Sequence, residues 1–439
     1  MNETLGKPVW WEDALPVDLP ETALPSQTSV VVIGGGFAGL SAALELRRSG
    51  VDVTLIEKNW PGYGACSRNI GLVTDRVAGT STGDLDGLLH GVKRSDLIEE
   101  GWRSRDYILD LIKRENIQCG LRQRGELVLA TSKSVYETMA ENLKLLEKKL
   151  GPVGAYMLPK QELHKEIGGR ASKLYHGAKV LQENYDLNPG QLAAGMVQRI
   201  AELGVTICSS VQLESVERLP NGTFTAITDK GDITADHVVW TTQGYSGKET
   251  GHLQKRIFPF LAHVVATEPI PRDVLLEMMP TLRGAADTKQ MFFCFRPCDR
   301  DSRLILASDY FRTDDDYKQS KRILKSYRKL FPELGDIKPE YCWHGNMALT
   351  SDQLPHIGMH EGMHFSAASS FAMAFYLGSK IAKRILNTDR ILNTDDTATL
   401  FDDMEIQDFP FYSGNPSLLY RGFRMLFNGM DYLNIAAPK

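Results

Sequence analysis

Apolar positions along this chain follow two periods, and each period marks out its own segments. Ser29–Ile33 (SVVVI) is an unbroken, mostly β-branched run of the kind a buried parallel strand requires, and Val51–Ile56 is a second. Between them Leu40, Ala43, Leu44 and Leu46 recur at helical spacing, and Gly50 closes the segment. Phe224–Thr228, Ile233–Ala235 and His237–Thr241 read as a β-meander, with Val211 opening a strand before it. Phe258–Thr267, Met291–Phe295 and Leu304–Ser308 read as further strands, followed by a helix over Asp316–Phe331. Met363–Ala367 is predicted as a strand and Phe371–Leu386 as an amphipathic helix, and a long helical stretch covers 84–115. Residues 1–27, punctuated by Pro8, Pro16, Pro20 and Pro25, read as an extended arm. The hexamer RILNTD, repeated at 384–389 and 390–395, reads as a local duplication that lengthens a helix end.

At 439 residues the chain is too long for one core, so two or three domains are expected, some of them interleaved. Apolar residues at 42% and charged residues at 24% are ordinary for a soluble globular protein. The net charge of −5 is mild and the basic residues are scattered, which argues against nucleic acid as a partner. Six irregularly spaced cysteines suggest reduced thiols, and neither Cys294 nor Cys298 has a companion that would complete a zinc site, so no metal is expected. No secretory signal and no run of about 18 apolar residues is seen, so a cytoplasmic location is expected.

The chemistry enters at IGGGFAGL. Gly34, Gly36 and Gly39 have the G-x-G-x-x-G spacing, between a strand and a helix. The first glycine allows the tight turn, the second lets backbone approach a pyrophosphate, and the third lets helix pack on strand. Glu57 ends the second strand, placed to accept both hydroxyls of a ribose, and an acid there disfavours a 2′-phosphate and hence NADP. Phe37, Ala38 and Lys58 belong to the same cofactor-binding set. An NAD domain would continue through further βαβ units, whereas here the glycine-rich loop GYGACSRNIG follows almost at once.

In this order the motifs resemble the FAD-dependent oxidoreductases of the D-amino-acid oxidase, glycine oxidase and sarcosine oxidase superfamily, and among them the γ-glutamylputrescine oxidase branch. That branch has a G-x-x-G-A-S-G-R-N-G-G type loop over the flavin and its phosphates. Ala65, Arg68, Asn69 and Gly71 keep the pattern, while Cys66, Ser67 and Ile70 depart from it. The resemblance implies cofactor contacts from Ser67, Arg68, Asn69, Ile70 and Gly71, from Val211 near the adenine, and from Gly244 in TTQGYS against the pyrophosphate. WHGNMALTSDQLPHIG (343–358) is similar to the family's W-x-G-x-x-x-x-T-x-D-x-x-P-x-x-G pattern and adds Gly358. It also implies that the helix start at Ser370, Phe371, Ala372 and Met373 faces the flavin pyrimidine ring. Ala374 stands about where the sarcosine oxidase branch has a lysine for the substrate carboxylate, which points to an amine whose acidic group is remote or absent. Cys342 lies about three residues too far upstream for the known covalent flavin link, so noncovalent FAD is expected.

The fold implied is α/β: a Rossmann-like FAD-binding domain (28–83, 176–255, 346–395) interleaved with an α+β substrate domain on a mostly antiparallel sheet (84–175, 256–345). An arm (1–27) and a tail (396–439) complete the chain. The activity implied is oxidation of an amine C–N bond by hydride transfer to flavin, with a hydroxy-acid or polyol-phosphate dehydrogenase, or a flavin subunit of a heteromeric enzyme, as alternatives. No side-chain base is obligatory, because an uncharged amine pushes its own lone pair into the breaking C–H bond. His344 is the nearest candidate for a catalytic role, and Trp343, His344, Phe260, Tyr310 and His263 are candidate pocket residues; packed structural side chains are the competing reading of each. Oxygen and a quinone or carrier both stand as electron acceptors, since SRLILAS carries no lysine to activate oxygen. A homo-oligomer is left open. The aromatic tail, with Arg421 and Arg424, is expected to pack on its own domain or a sister subunit in preference to a membrane surface.

Overall fold

Two eight-stranded sheets carry the fold in a computed structural model that describes residues 5–12, 14–77, 88–89, 91–289, 291–298, 300–308, 315–389, 396–402 and 404–432. In the first sheet the Gln27–Ile33 strand lies between Val53–Ile56 and Gly231–Trp240, parallel to both. Val30, Val31 and Val32 are wholly buried, as a strand covered on both faces demands. Thr206–Cys208 adds in parallel outside Val53–Ile56. Beyond Gly231–Trp240, Phe224–Thr228 and Leu213–Arg218 complete an antiparallel meander. Met363–Ala367 runs parallel to the C-terminal end of Gly231–Trp240 and pairs back with His356–His360. The two last strands expected in the meander are one ten-residue strand. Asp236, which divides their apolar runs, occupies an outward-facing slot and leaves the ladder unbroken.

The second sheet runs in the order Pro339–Leu349, Phe258–Thr267, Arg303–Ser308, Cys294–Cys298, Gly284–Asp287, Glu126–Leu129, Gly177–Leu181, Ala155–Pro159. Every neighbouring pair is antiparallel except Gly284–Asp287 with Glu126–Leu129. The expected combination of a Rossmann-like unit with a mostly antiparallel sheet therefore holds. The strand Gly177–Leu181 belongs to this second sheet, although it falls on the nucleotide side of the division expected at 175.

Alternation gives this sheet two unlike faces. One is covered by the helices Arg272–Met278 and Asp316–Tyr327, over Val265, Leu304, Leu306 and Cys342. The other presents Val264, Ala266, Ile305, Ala307 and Trp343 to Val9, Trp10 and Ile70. Farther along it, Phe258, Phe260 and Ala262 pack with Phe409, Tyr412, Tyr420, Phe423 and Phe427. The C-terminal helix Ser417–Tyr432 is thus seated on the sheet, with Tyr420 Oη donating to the Pro259 carbonyl at 2.7 Å.

Four further expectations change. The strand read at Met291–Phe295 runs over Cys294–Cys298. The long helix begins at Arg94, after a short strand pair at Leu88–Leu89 and Val92–Lys93; the rest of 84–93 lies outside the described residues except Gly91. The Asp316 helix ends at Tyr327, ahead of Pro332, which opens a 3-10 turn. The N-terminal arm is not simply extended: Val9–Trp11 forms a buried 3-10 turn. Of the RILNTD copies, the first ends the Phe371–Thr388 helix, and the second lies outside the described residues.

Candidate functional site

The glycine fingerprint is built as its spacing requires. Gly34 has φ +104°, reserved in practice for glycine, and donates to the Ile56 carbonyl at 3.0 Å. A Cβ on Gly39 would stand 2.0 Å from the Gly34 carbonyl oxygen and 2.8 Å from Thr241 Oγ1. A Cβ on Gly36 would meet nothing within 4 Å. The second glycine therefore faces open space, the third faces backbone, and the helix Phe37–Arg48 starts at Gly36 with no side chain capping it. Uncapped N–H groups with open space before them form an anion cradle.

Glu57 stands at the rim. Its Oε2 accepts from Gly35 N at 2.8 Å and its Oε1 from Asn59 N at 2.9 Å, which fixes the carboxylate and leaves lone pairs for a diol. Burial raises its pKa above the usual value, against the pull of those same N–H donors. Lys58 is exposed, and Val211 N donates to the Glu57 carbonyl at 3.0 Å, which holds the strand after it beside the rim.

A second uncapped helix start comes to the same place. Ser370 precedes the Phe371–Thr388 helix and gives it no side-chain cap. Phe371 and Phe375 pack their rings on Phe37 at centroid distances of 5.0 and 4.4 Å, and Ser41 Oγ donates to the Phe375 carbonyl at 2.7 Å. Ala372 and Met373, in the first turn, are buried in one cluster with Ala38 of the helix Phe37–Arg48. The turn after the meander joins the two ends. Thr241 Oγ1 donates to the carbonyls of Ile33 and Gly34, while Gln243 accepts from Ser369 N at 3.2 Å and donates to the Ser366 carbonyl at 3.2 Å. Gly244 is pressed on the end of the second sheet, where a Cβ would lie 2.6 Å from the Met347 carbonyl oxygen.

The glycine-rich loop lies between the two sheets, and its side chains face the protein. Arg68 is buried, with its guanidinium 4.5 Å from the ring centroids of both Trp11 and Tyr63. It donates to the carbonyls of Tyr63 at 2.9 Å and His344 at 3.1 Å. Asn69 Oδ1 accepts from Gly71 N at 2.8 Å, and its Nδ2 donates to the Cys66 carbonyl at 2.6 Å. Ser67 Oγ donates to the Gly62 carbonyl and accepts from Trp11 Nε1. Trp10 and Trp343 donate their indole N–H groups to the Asn69 and Arg68 carbonyls, at 2.9 and 2.8 Å. Ile70 and Leu187 present their carbonyls to buried Arg296. Arg68, expected near the phosphates and ring edge of a flavin, is held here between two rings and three carbonyls. Trp10, Trp11 and Arg296 escaped the sequence reading; the paired tryptophans at 10 and 11 in a proline-rich arm were the available signal.

The remaining candidates separate. Gly358 pairs with Phe365 and lines an open cavity of about 650 Å³ with His252, Arg256, His360 and Arg384, toward the C-terminal end of the Phe371–Thr388 helix and away from Ser370. Trp343 faces the loop, but it is wholly buried. His344 follows it and so turns to the opposite, helix-covered face, bonding Asp316 at 3.0 Å, and His263 sits there too. Neither histidine stands where the flavin-end motif was expected to put a catalytic or pocket residue. Phe260 lies on the loop side, among the C-terminal aromatics. Tyr310 lies outside the described residues. Cys342 shares the helix-covered face, and burial raises its thiol pKa far above the usual value. Burial also pushes Cys66, inside the loop, up to about 12.

An anion cradle with an acidic rim, a second open helix start beside it, and a mostly antiparallel sheet packed over the connecting loop define a nucleotide-dependent oxidoreductase of the flavin type. Residues 29–384 match the family of FAD dependent oxidoreductases, and the chain belongs to that family. Its cofactor is FAD, and the open space at Gly36 with Glu57 at its rim fits that molecule's pyrophosphate and ribose. The chain is 28% identical over 337 residues to gamma-glutamylputrescine oxidoreductase of Escherichia coli K12, across 75% of this chain and 76% of that protein. It is 26% identical over 385 residues to the probable oxidoreductase OrdL of Haemophilus influenzae, across 86% of each. Glycine oxidase from Geobacillus kaustophilus shares the fold with a TM-score of 0.69 at 18% identity, over 86% of this chain and 97% of that one. No helix among the described residues is long and apolar enough to cross a membrane.

Proposed function

We propose that this enzyme oxidises the C–N bond of a primary or secondary amine or amino acid to an imine, which water then hydrolyses to an aldehyde or keto product. The observation that carries the reading is the open helix start at Ser370–Phe371, joined to the glycine cradle by the turn in which Gln243 bonds Ser369 and Thr241 bonds Gly34. FAD, when bound, supplies the two-electron acceptor for a hydride leaving the carbon beside nitrogen. The uncapped N–H groups of that helix would steady negative charge developing next to them, without reorganisation.

The loop-side face of the second sheet supplies the other requirement. Phe260, Ala262 and Phe292, partly exposed beside the C-terminal aromatics, make it apolar, and an apolar surface favours the neutral amine over the ammonium ion. The neutral form has the lone pair that the C–H cleavage needs. Ala374, in the first turn of the flavin-end helix, offers no charge to a carboxylate, which favours substrates whose acidic group is distant from the reacting carbon. A γ-glutamylated diamine, the substrate class in the name of the Escherichia coli relative, has that form.

Anaerobic mixing of the flavin-loaded protein with panels of amines, amino acids and hydroxy acids tests the proposal. Loss of the oxidised flavin absorbance with an amine, and none with a hydroxy acid, is the expected result. Bleaching by hydroxy acids alone would transfer the enzyme to the alcohol-oxidising side of the family.

A further inference from the structure

The helix-covered face of the second sheet holds a polar cluster that amine oxidation leaves unused. His263 and His344 stand directly opposite each other on the strands Phe258–Thr267 and Pro339–Leu349, with ring centroids 5.5 Å apart. Asp316 joins them from the first turn of its helix, where Asp315 fixes the start by accepting from Lys318 N at 3.0 Å. Asp316 Oδ1 lies 3.0 Å from His344 Nδ1 and 3.8 Å from His263 Nε2. One donor atom from each of the three residues falls within 4.8 Å of the other two.

We propose that His263, Asp316 and His344 bind a divalent transition-metal ion. Ligand bonds of about 2.0–2.2 Å around a tetrahedral ion put neighbouring donor atoms roughly 3.3–3.6 Å apart, so the observed separations need only small side-chain adjustments. Two imidazoles with one carboxylate suit zinc, cobalt, iron or manganese and are too nitrogen-rich for calcium or magnesium. The burial is graded: the His263 side chain is 0% exposed, Asp316 10% and His344 32%. The ion would enter past His344 and keep water on that side, as a three-ligand site permits.

The position gives the ion a structural task. Pro339–Leu349 is an end strand of its sheet. The N-terminal segment closes on it through Gly6 N and the Cys342 carbonyl at 2.8 Å, and a Cβ on Gly6 would lie 3.6 Å from Asp316 Oδ2. One ion would pin the end strand, its neighbour and the helix start together. Trp343, between His344 and Cys342, meanwhile holds the glycine-rich loop from the other face.

The test uses the full-length, tag-free, flavin-loaded protein, stripped with chelator and titrated with Co²⁺. The expected result is about one Co²⁺ per chain, visible d–d bands of a low-coordinate site, and a melting temperature that rises with Co²⁺ concentration. His344→Ala, at the most exposed ligand, and the isosteric Asp316→Asn should each weaken Co²⁺ binding by at least ~100-fold, since even outer-shell changes cost about 10–100-fold. Both should keep a wild-type flavin-to-protein ratio, which shows that the fold survives. Absence of d–d bands in the wild type, or bands that persist unchanged in both variants, would overturn the site.

Discussion

Single atoms decide the behaviour of the glycine cradle. Gly36→Ala adds a methyl group to empty space at an ordinary φ of −84°, so the flavin-free protein should keep its stability within ~0.5 kcal/mol. The same methyl group takes up room in the cradle, so FAD affinity should fall, as a fluorescence titration of the stripped protein would show. Gly39→Ala drives its methyl group into backbone and should cost the flavin-free protein itself about 1–3 kcal/mol in urea unfolding. Equal stability losses in the two variants would contradict this division of labour. Arg68 was legible as a loop residue but not in its role, because its partners, Trp11 and the carbonyl of His344, are far away in sequence. Arg68→Lys should not restore what Arg68→Ala removes, since a lysine cannot match a planar fork held between two rings; thermal melts of the two variants would come out alike.

Elements show the same split between local and distant signals. Phe224–Thr228, Phe258–Thr267 and Met363–Ala367 match their predicted bounds because each is a continuous apolar or alternating run with turn residues at its ends. The arm's 3-10 turn was hidden, because its tryptophans are fixed by the Asn69 carbonyl and the Ser67 hydroxyl of a loop some sixty residues on. The sheet membership of Gly177–Leu181 was hidden too, since its order arises from partners that sequence alone does not rank. Two helices meet closely at Gly378, where a Cβ would stand 2.2 Å from the Ala38 carbonyl oxygen. Gly378→Ala should push the flavin-end helix off the glycine helix, lower stability by about 1–3 kcal/mol and reduce flavin retention on gel filtration.

The molecule as a whole should be acid-sensitive in a definite window. Burial lowers the pKa values of His252 and His364 from 6.5 to about 4, His252 being also stacked on His360 at 3.7 Å. At these two histidines the unfolded chain then binds more protons than the folded one between these values, so their contribution to stability is complete above pH 6.5 and falls as pH drops toward 4. Replacing His364 with phenylalanine should flatten the melting temperature across that range; an unchanged slope would assign the sensitivity elsewhere.

The seal on the glycine-rich loop also sets an order of events in time. Trp10 and Trp11 leave the ribosome long before Trp343, yet all three must be in place for the loop's carbonyls and Ser67 to be fully held. The nucleotide cradle needs the strand Gly231–Trp240 and Thr241 beside it, and the lock over it waits for a residue more than three hundred positions downstream of Gly36. Firm retention of FAD is therefore a late event in the life of each new chain, and translation arrested before Trp343 should give products that release the cofactor readily.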